Sequence, residues 1–396
     1  VLGYRCLACD HEIAATDLRY TCDACGGNLE VVYAPATLRA AFPGADAPAD
    51  LRRYHALCGL RTDYQPALPV RTTPVRAVRG RVPGFADVDV WVKDETGHPS
   101  GSFKDRASYA VLAKALEWGM SPLVGASTGN AGASMACLCA AAGVPATIFV
   151  PAAAPPAKLA QLFAYGADLR PVQGTYDQAY DASLEVTRTR GWLNRNTGFN
   201  PWTREGKKSA SFELFEQFDR KVPDWVVVPT GDGNILSGIW KGWRDLKTAG
   251  LVQRLPRLLA AQASGSDAIA CAWEARRADP SLRLAEAVRP VETSTLADSI
   301  SVGLPRDGVA AVRAIEESDG FPLRVDDDAI VDALLAVARG TGVFLEPAAA
   351  AGAAALASAI AAGRVGQGER VVLLATGNGL KDVRPVARLA SDGAAR

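Results

Sequence analysis

The chain has 396 residues, enough for two or three structural units and too many for one small core. Lysine plus arginine and aspartate plus glutamate each number 43, so the formal net charge is zero, which argues against nucleic acid or an anionic membrane as the main partner. Hydrophobic residues make up 48% of the chain without an uninterrupted apolar run of membrane length. The start, Val1-Leu2-Gly3-Tyr4-Arg5-Cys6, lacks the apolar core of a signal peptide, and a soluble cytoplasmic protein is expected.

Four of the eight cysteines fall before residue 26, in the pairs Cys6-Leu7-Ala8-Cys9 and Cys22-Asp23-Ala24-Cys25. Each pair can set two sulfurs on one side of a tight knuckle, and two knuckles make a closed tetrahedral thiolate site, hence structural zinc. Two disulfides, or thiols that have lost their metal, are the other readings. The scatter of Cys58, Cys137, Cys139 and Cys271 does not suggest a secreted disulfide framework. His11 lies between the knuckles and is expected in solvent rather than on the metal. Leu29 to Tyr33 reads as a strand leaving the ribbon.

Residues 34 to 70 form a connector rich in Ala, Pro and Arg, partly helical by composition. After it, short apolar runs alternate with longer helical ones. Strands are expected at Val88–Lys93, Leu123–Ala126, Ala146–Val150, Trp225–Val228, Leu258–Ala261 and Arg370–Ala375. Helices are expected at Arg106–Trp118, with Ala107, Val111, Ala115 and Leu116 on one side, at Ala131–Ala142, and at Pro156–Tyr165 with Gly166 as its stop. This alternation predicts open parallel sheets with helices on both faces, whose ligands sit at the carboxyl ends of strands.

Three of those strand ends carry loops of small residues: Ser127-Thr128-Gly129-Asn130, Thr230-Gly231-Asp232-Gly233-Asn234-Ile235 and Thr376-Gly377-Asn378-Gly379. The middle loop is the best anion site, because its glycines let amides turn inward and the following helix adds its positive end. It is neither a Walker loop nor a dinucleotide fingerprint. Lys104, after Gly101-Ser102-Phe103, has the surroundings of a sheltered amine suited to Schiff-base chemistry. A structural ion pair with Asp105 or another carboxylate is the competing reading.

Taken together, Ser100-Gly101-Ser102-Phe103-Lys104-Asp105-Arg106, Ala126-Ser127-Thr128-Gly129-Asn130, the Thr230–Ile235 loop and Ala375-Thr376-Gly377-Asn378-Gly379 resemble threonine synthases, pyridoxal-phosphate enzymes of the tryptophan-synthase-β fold. The likeness runs collinearly through Thr73-Pro74-Val75, Lys93-Asp94-Glu95, Asn200-Pro201, Glu205-Gly206-Lys207-Lys208, Ser299–Gly303 and Glu346-Pro347-Ala348. A four-cysteine ribbon is also found in some members. The resemblance implies a zinc ribbon over 1–35, a large domain for pyridoxal 5'-phosphate over 36–105 and 205–396, and a small domain over 106–204. It implies a homodimer acting on a small amino-acid substrate.

By the same resemblance, Lys104 would hold the cofactor's aldehyde and move protons, Phe103 would line the ring and Asn130 would bond its 3′-oxygen. Gly231, Asp232, Gly233, Asn234 and Ile235 would cup the phosphate, and Thr376 would meet the pyridine nitrogen. Ser127, Thr128 and Gly129 would take the substrate's α-carboxylate. The family usually continues Asn-Thr-Ser or Asn-Thr-Ala, with the threonine near the substrate phosphate or the attacking water; here Ala131 and Gly132 follow Asn130. Ala349 stands where a serine is common. Arg204 and Lys207, with Lys208 and Ser211, are candidates for the phosphate instead, or form a solvated basic face. The expected reaction converts O-phospho-L-homoserine and water to L-threonine and phosphate. Alternatives are β-replacement on phosphoserine with sulfite, as in cysteate synthases, deamination of threonine or serine, or an interaction protein on an inactive scaffold.

Overall fold

The computed structural model describes residues 1–14, 17–44, 46–78 and 80–394. In chain order the strands are β1 (Gly3–Cys6), β2 (Glu12–Ile13), β3 (Leu29–Val32), β4 (Val75–Ala77), β5 (Asp89–Asp94), β6 (Leu123–Ala126), β7 (Ala146–Pro151), β8 (Asp168–Val172), β9 (Leu193–Asn194), β10 (Trp225–Pro229), β11 (Arg257–Ala263), β12 (Phe321–Val325) and β13 (Arg370–Ala375). They fall into two compact units. The first holds Val1–Thr72, His98–Phe212 and Thr248–Leu251; the second holds Thr73–Gly97, Glu213–Lys247 and the chain from Val252 onward. Among the described residues no helix is long and apolar enough to cross a membrane.

The first unit carries two sheets. The ribbon is antiparallel, ordered β2-β1-β3, and a second sheet is all parallel, ordered β8-β7-β6-β9. The chain steps outward from β6 to β7 to β8, then returns to set β9 on the other side of β6, with Leu123 opposite Leu193 and Val124 opposite Asn194. That reversal is a topological switch point, where strand ends diverge and leave a crevice. Residues 36–72 lie in this unit. Their buried aromatics hold them there: Tyr54 packs on Phe212 at 5.7 Å, and His55 Nε2 is 3.0 Å from the Tyr109 hydroxyl.

The second unit is one six-stranded sheet ordered β12-β11-β10-β13-β5-β4, parallel except for the antiparallel edge strand β4. Its switch point lies between β10 and β13, where Val227 faces Leu373. Val90, Val92, Val227, Leu259 and Leu373 fill its core together with the alanines of the helix Pro347–Ala361. The small side chains let that helix lie close to the sheet; a side chain at Gly352 would press on Leu373 and Pro229.

The sequence readings of β6 and β13 match to the residue, and those of β5, β7, β10 and β11 within two. One packing expectation changes. The helix Lys104–Trp118 is buried from Asp105 to Ala115 on every side, not on one stripe, and it packs against the helices Asn130–Ala142 and Trp202–Lys207.

Candidate active site

The ribbon sulfurs converge. The Sγ atoms of Cys6, Cys9, Cys22 and Cys25 all lie within 4.8 Å of one another, and Cys9 and Cys22 are 3.8 Å apart. A tetrahedral zinc with sulfurs at about 2.3 Å needs sulfur–sulfur separations of roughly 3.8 Å, so the set fits that ion. None of the four is in a disulfide. Both knuckles close the same way: Asp10 N–H donates to Cys6 O, and Gly26 N–H donates to Cys22 O. Asp10 and Gly26 occupy equivalent left-handed positions, with φ of 58° and 72°. Gly27 has no room for a side chain, since a Cβ would lie 3.0 Å from the Cys6 sulfur. His11 is exposed, as expected.

In the first unit Lys104 opens the helix Lys104–Trp118 directly after the turn at Gly101, which has φ 82°. Phe103 is fully buried and Lys104 half-buried. The Asp105 carboxylate is taken by the turn itself: Ser100 N–H donates to it at 2.7 Å and the Ser100 hydroxyl donates to its other oxygen. The neighbouring acid therefore secures the backbone on the N-terminal side of Lys104.

The Ser127–Gly129 loop leaves β6 at the switch point and feeds the helix Asn130–Ala142, whose first turn offers N–H groups with no intrahelical acceptor. Ser127 Oγ accepts from Gly129 N–H at 3.2 Å, and Asn130 is buried. A small recess beside the loop is lined by Ser127, Ala131, Gly132, Tyr176, Arg195 and Thr197. Arg195 comes just after β9, is 2% exposed, and donates through Nε to Ser108 Oγ and through Nη1 to Thr197 Oγ1. Sequence reading missed Arg195 and Thr197 because β9 is only two residues long and gives no strand signal.

Arg204 and Lys207 sit elsewhere in this unit. Both are buried, as are Lys208 and Ser211, so these residues do not form a solvated basic face. Arg204 Nη1 donates to the Leu29 carbonyl of the ribbon at 2.8 Å. Lys208 pairs with Glu205 at 2.5 Å and lies 4.0 Å from the centre of the Tyr33 ring, and the Tyr33 hydroxyl donates to the same Glu205 oxygen at 2.5 Å. These contacts hold the ribbon to the helix Trp202–Lys207 and the residue after it.

In the second unit the Gly231–Ile235 loop follows β10 at the other switch point and leads into the helix Asn234–Thr248. Gly233 has φ 91°, and a Cβ there would lie 2.6 Å from Ala311; one on Gly231 would lie 2.7 Å from Ile300 Cα. Polar side chains of the loop brace it from outside. Asp232 Oδ1 accepts from Arg306 N–H at 2.6 Å, and Asn234 Nδ2 donates to Asp307 Oδ2 at 2.8 Å. A braced glycine turn at the start of a fifteen-residue helix suits a phosphate held by backbone amides. Thr376 follows β13 and is buried beside Gly377, where a Cβ would meet the Glu346 carboxylate.

Residues 67–377 match the family described as "Pyridoxal-phosphate dependent enzyme". The chain is 33% identical over 393 residues to a threonine synthase of Methanosarcina acetivorans, covering 96% of this chain and 93% of that one. It is 32% identical over 391 residues to one from Methanocaldococcus jannaschii, covering 96% and 92%. Among solved structures, maize serine racemase superposes with a TM-score of 0.65 at 23% identity, covering 82% of this chain and 92% of that one. Threonine deaminase isoform 2 from Solanum lycopersicum gives 0.66 at 20%, covering 81% and 83%; at these identities the likeness is one of fold. The chain belongs to the pyridoxal-phosphate dependent enzymes and, among these lyases, to the threonine synthase family.

Proposed function

We propose that this lyase converts O-phospho-L-homoserine and water to L-threonine and phosphate. The observation that carries the reading is the match to threonine synthases over 96% of the chain. Pyridoxal phosphate supplies an electron sink for the substrate's α-carbon when bound. Lys104 would hold its aldehyde and move protons at the substrate's α- and β-carbons, a role that suits a half-buried amine at a helix start. Phe103 and Asn130 would orient the ring, backbone amides of Gly231 to Ile235 would hold the phosphate, and Thr376 would be the partner of the ring nitrogen. A hydroxyl there moderates the electron sink more than a carboxylate partner would.

The substrate's α-carboxylate sits on Ser127, Thr128 and Gly129, where the helix Asn130–Ala142 presents its positive end. Its phosphate lies toward the recess of Arg195 and Thr197, since Ala131 offers no hydroxyl and Arg204 donates to the ribbon backbone. Zinc closes the four-thiolate ribbon as a structural ion. Phosphate would leave the γ-carbon after proton removal at the α- and β-carbons; the γ-carbon then gains a proton and water adds at the β-carbon, so one water is consumed and one phosphate released per threonine.

The change at Ala131 and Gly132 supports one competing reading, β-replacement or β-elimination on another amino acid. A product assay on the purified holoenzyme separates the two. O-phospho-L-homoserine, O-phosphoserine with sulfite, and L-threonine are offered in parallel. Threonine and phosphate in equal amounts from the first support the proposal; cysteate from the second, or 2-oxobutyrate from the third, with no turnover of the first, overturns it.

A further inference from the structure

We propose that Tyr20, on the stretch between the two cysteine knuckles, is a positioning residue for the Ser127–Gly129 loop, so that the ribbon helps to shape the substrate's seat. This rests on the reading of that loop as the α-carboxylate site.

The path is short and built of hydrogen bonds. The Tyr20 hydroxyl oxygen accepts from Asn194 N–H at 2.8 Å, and its ring stacks on Phe199 with centroids 4.4 Å apart and planes 12° apart. Asn194 ends β9, the edge strand beside β6, and Tyr20 takes an edge N–H there. Asn194 passes the constraint onward. Its Oδ1 accepts from Asn196 N–H at 2.7 Å, and its carbonyl accepts from Asn200 Nδ2 at 2.6 Å. Asn196 Oδ1 then accepts from Ala126 N–H at 2.8 Å, while its Nδ2 donates to Ser183 Oγ at 2.7 Å. Ala126 is the residue immediately before Ser127.

Asn194, Asn196 and Asn200 are all buried. A buried polar chain of this kind has few alternative partners, so the conformation at one end limits that at the other. The constraint runs from Tyr20 to the backbone that launches the carboxylate loop in three hydrogen bonds: Tyr20 to Asn194, Asn194 to Asn196, Asn196 to Ala126. A ribbon that served only as a stabilising appendage would need the Phe199 stack but not this chain.

The test uses the holoenzyme and two variants. Tyr20→Phe keeps the stack and removes the acceptor; Thr128→Ala alters the loop itself. Amide hydrogen exchange is followed over 126–129 and 194–200, together with KM and kcat for O-phospho-L-homoserine. In Tyr20→Phe we expect exchange at Ala126–Gly129 to quicken about tenfold and KM to rise roughly three- to tenfold, with kcat within about twofold, as loss of one buried hydrogen bond predicts. A variant in which exchange quickens only at Asn194 and its neighbours, with KM unchanged, overturns the proposal. If Tyr20→Phe quickens exchange at the loop but neither variant moves KM, the coupling stands and the carboxylate reading is what fails. If Thr128→Ala raises KM while Tyr20→Phe changes neither readout, the carboxylate reading stands and Tyr20 is excluded.

Discussion

A side-chain carbon on Gly132 would overlap the carbonyl oxygen of Ser127. The loop after β6 thus lies directly on the first turn of the helix Asn130–Ala142, and the glycine is a condition of that approach rather than helix filler. Gly132→Ser must push the loop away or bend the helix. We expect a KM for the amino-acid substrate at least about tenfold higher, with the cofactor's visible absorbance retained, because the overlap is with backbone and cannot be relieved by rotamer change. Ala131→Thr, at a half-buried position lining the recess, should be tolerated in folding.

Arg195 gives a second prediction. Its guanidinium is buried, braced by Ser108 and Thr197, and lines the recess beside Ser127. If it meets the substrate phosphate, Arg195→Lys should raise KM for O-phospho-L-homoserine by roughly ten- to a hundredfold, the range of one charge-assisted hydrogen bond, because lysine lacks the planar fork. Inorganic phosphate should inhibit the parent enzyme competitively and the variant much less. Equal inhibition of both would exclude this role.

The ribbon yields a third. One zinc per chain is expected in protein purified without chelator, measured by elemental analysis. Cys22→Ser should lower the zinc content well below one per chain and reduce Tm by roughly 5 °C or more, because a closed thiolate site contributes directly to folding. Arg204, Glu205 and Lys208 make contacts with β3 and Tyr33, so the destabilisation should extend into the helix Trp202–Lys207. Protein purified with no metal and an unchanged Tm would remove zinc from the account.

His55 supplies a pH prediction. Burial holds its imidazole down at about 4, partly opposed by the Asp50 charge. The unfolded chain binds this proton near pH 6.5, the native one only near pH 4. Stability from the neutral histidine is therefore complete above pH 6.5, is lost as pH falls toward 4, and falls no further below that. Denaturant titrations of the parent should show this acid limb, about 3 kcal/mol in all. In His55→Gln the limb should be shallower across the same window.

Much of the molecule is legible in its sequence where the signal is local. The cysteine knuckles and the strands β6 and β13 depend on short spacings and apolar runs, and they sit where expected. The loops at Ser127, Gly231 and Thr376 follow strands, and the strand orders explain why these ends matter: two of them flank the reversal between β10 and β13, and the third flanks that between β6 and β9. What stays hidden is long-range. Arg204 and Lys207 read as phosphate ligands or as a basic face because their burial is not visible locally; the ribbon carbonyl that meets Arg204 is about 175 residues earlier in the chain. Arg195 follows a strand too short to register, and Tyr20 offers no cue that its hydroxyl faces Asn194. The bonds from Ser100 N–H and its hydroxyl to the Asp105 carboxylate also lie beyond what the sequence reveals.

The claim on which the rest depends is that Lys104 carries the cofactor. Other buried lysines offer themselves, among them Lys93, which is bonded to Glu213 at 2.6 Å, and Lys207 and Lys208. Borohydride reduction of the holoenzyme fixes the cofactor to whichever amine holds it, and peptide mass mapping then locates it. The account predicts one pyridoxyl group per chain on the peptide containing Lys104 and none in Lys104→Ala. A pyridoxyl group on Lys93, Lys207 or Lys208, or an unlabelled Lys104, would contradict it.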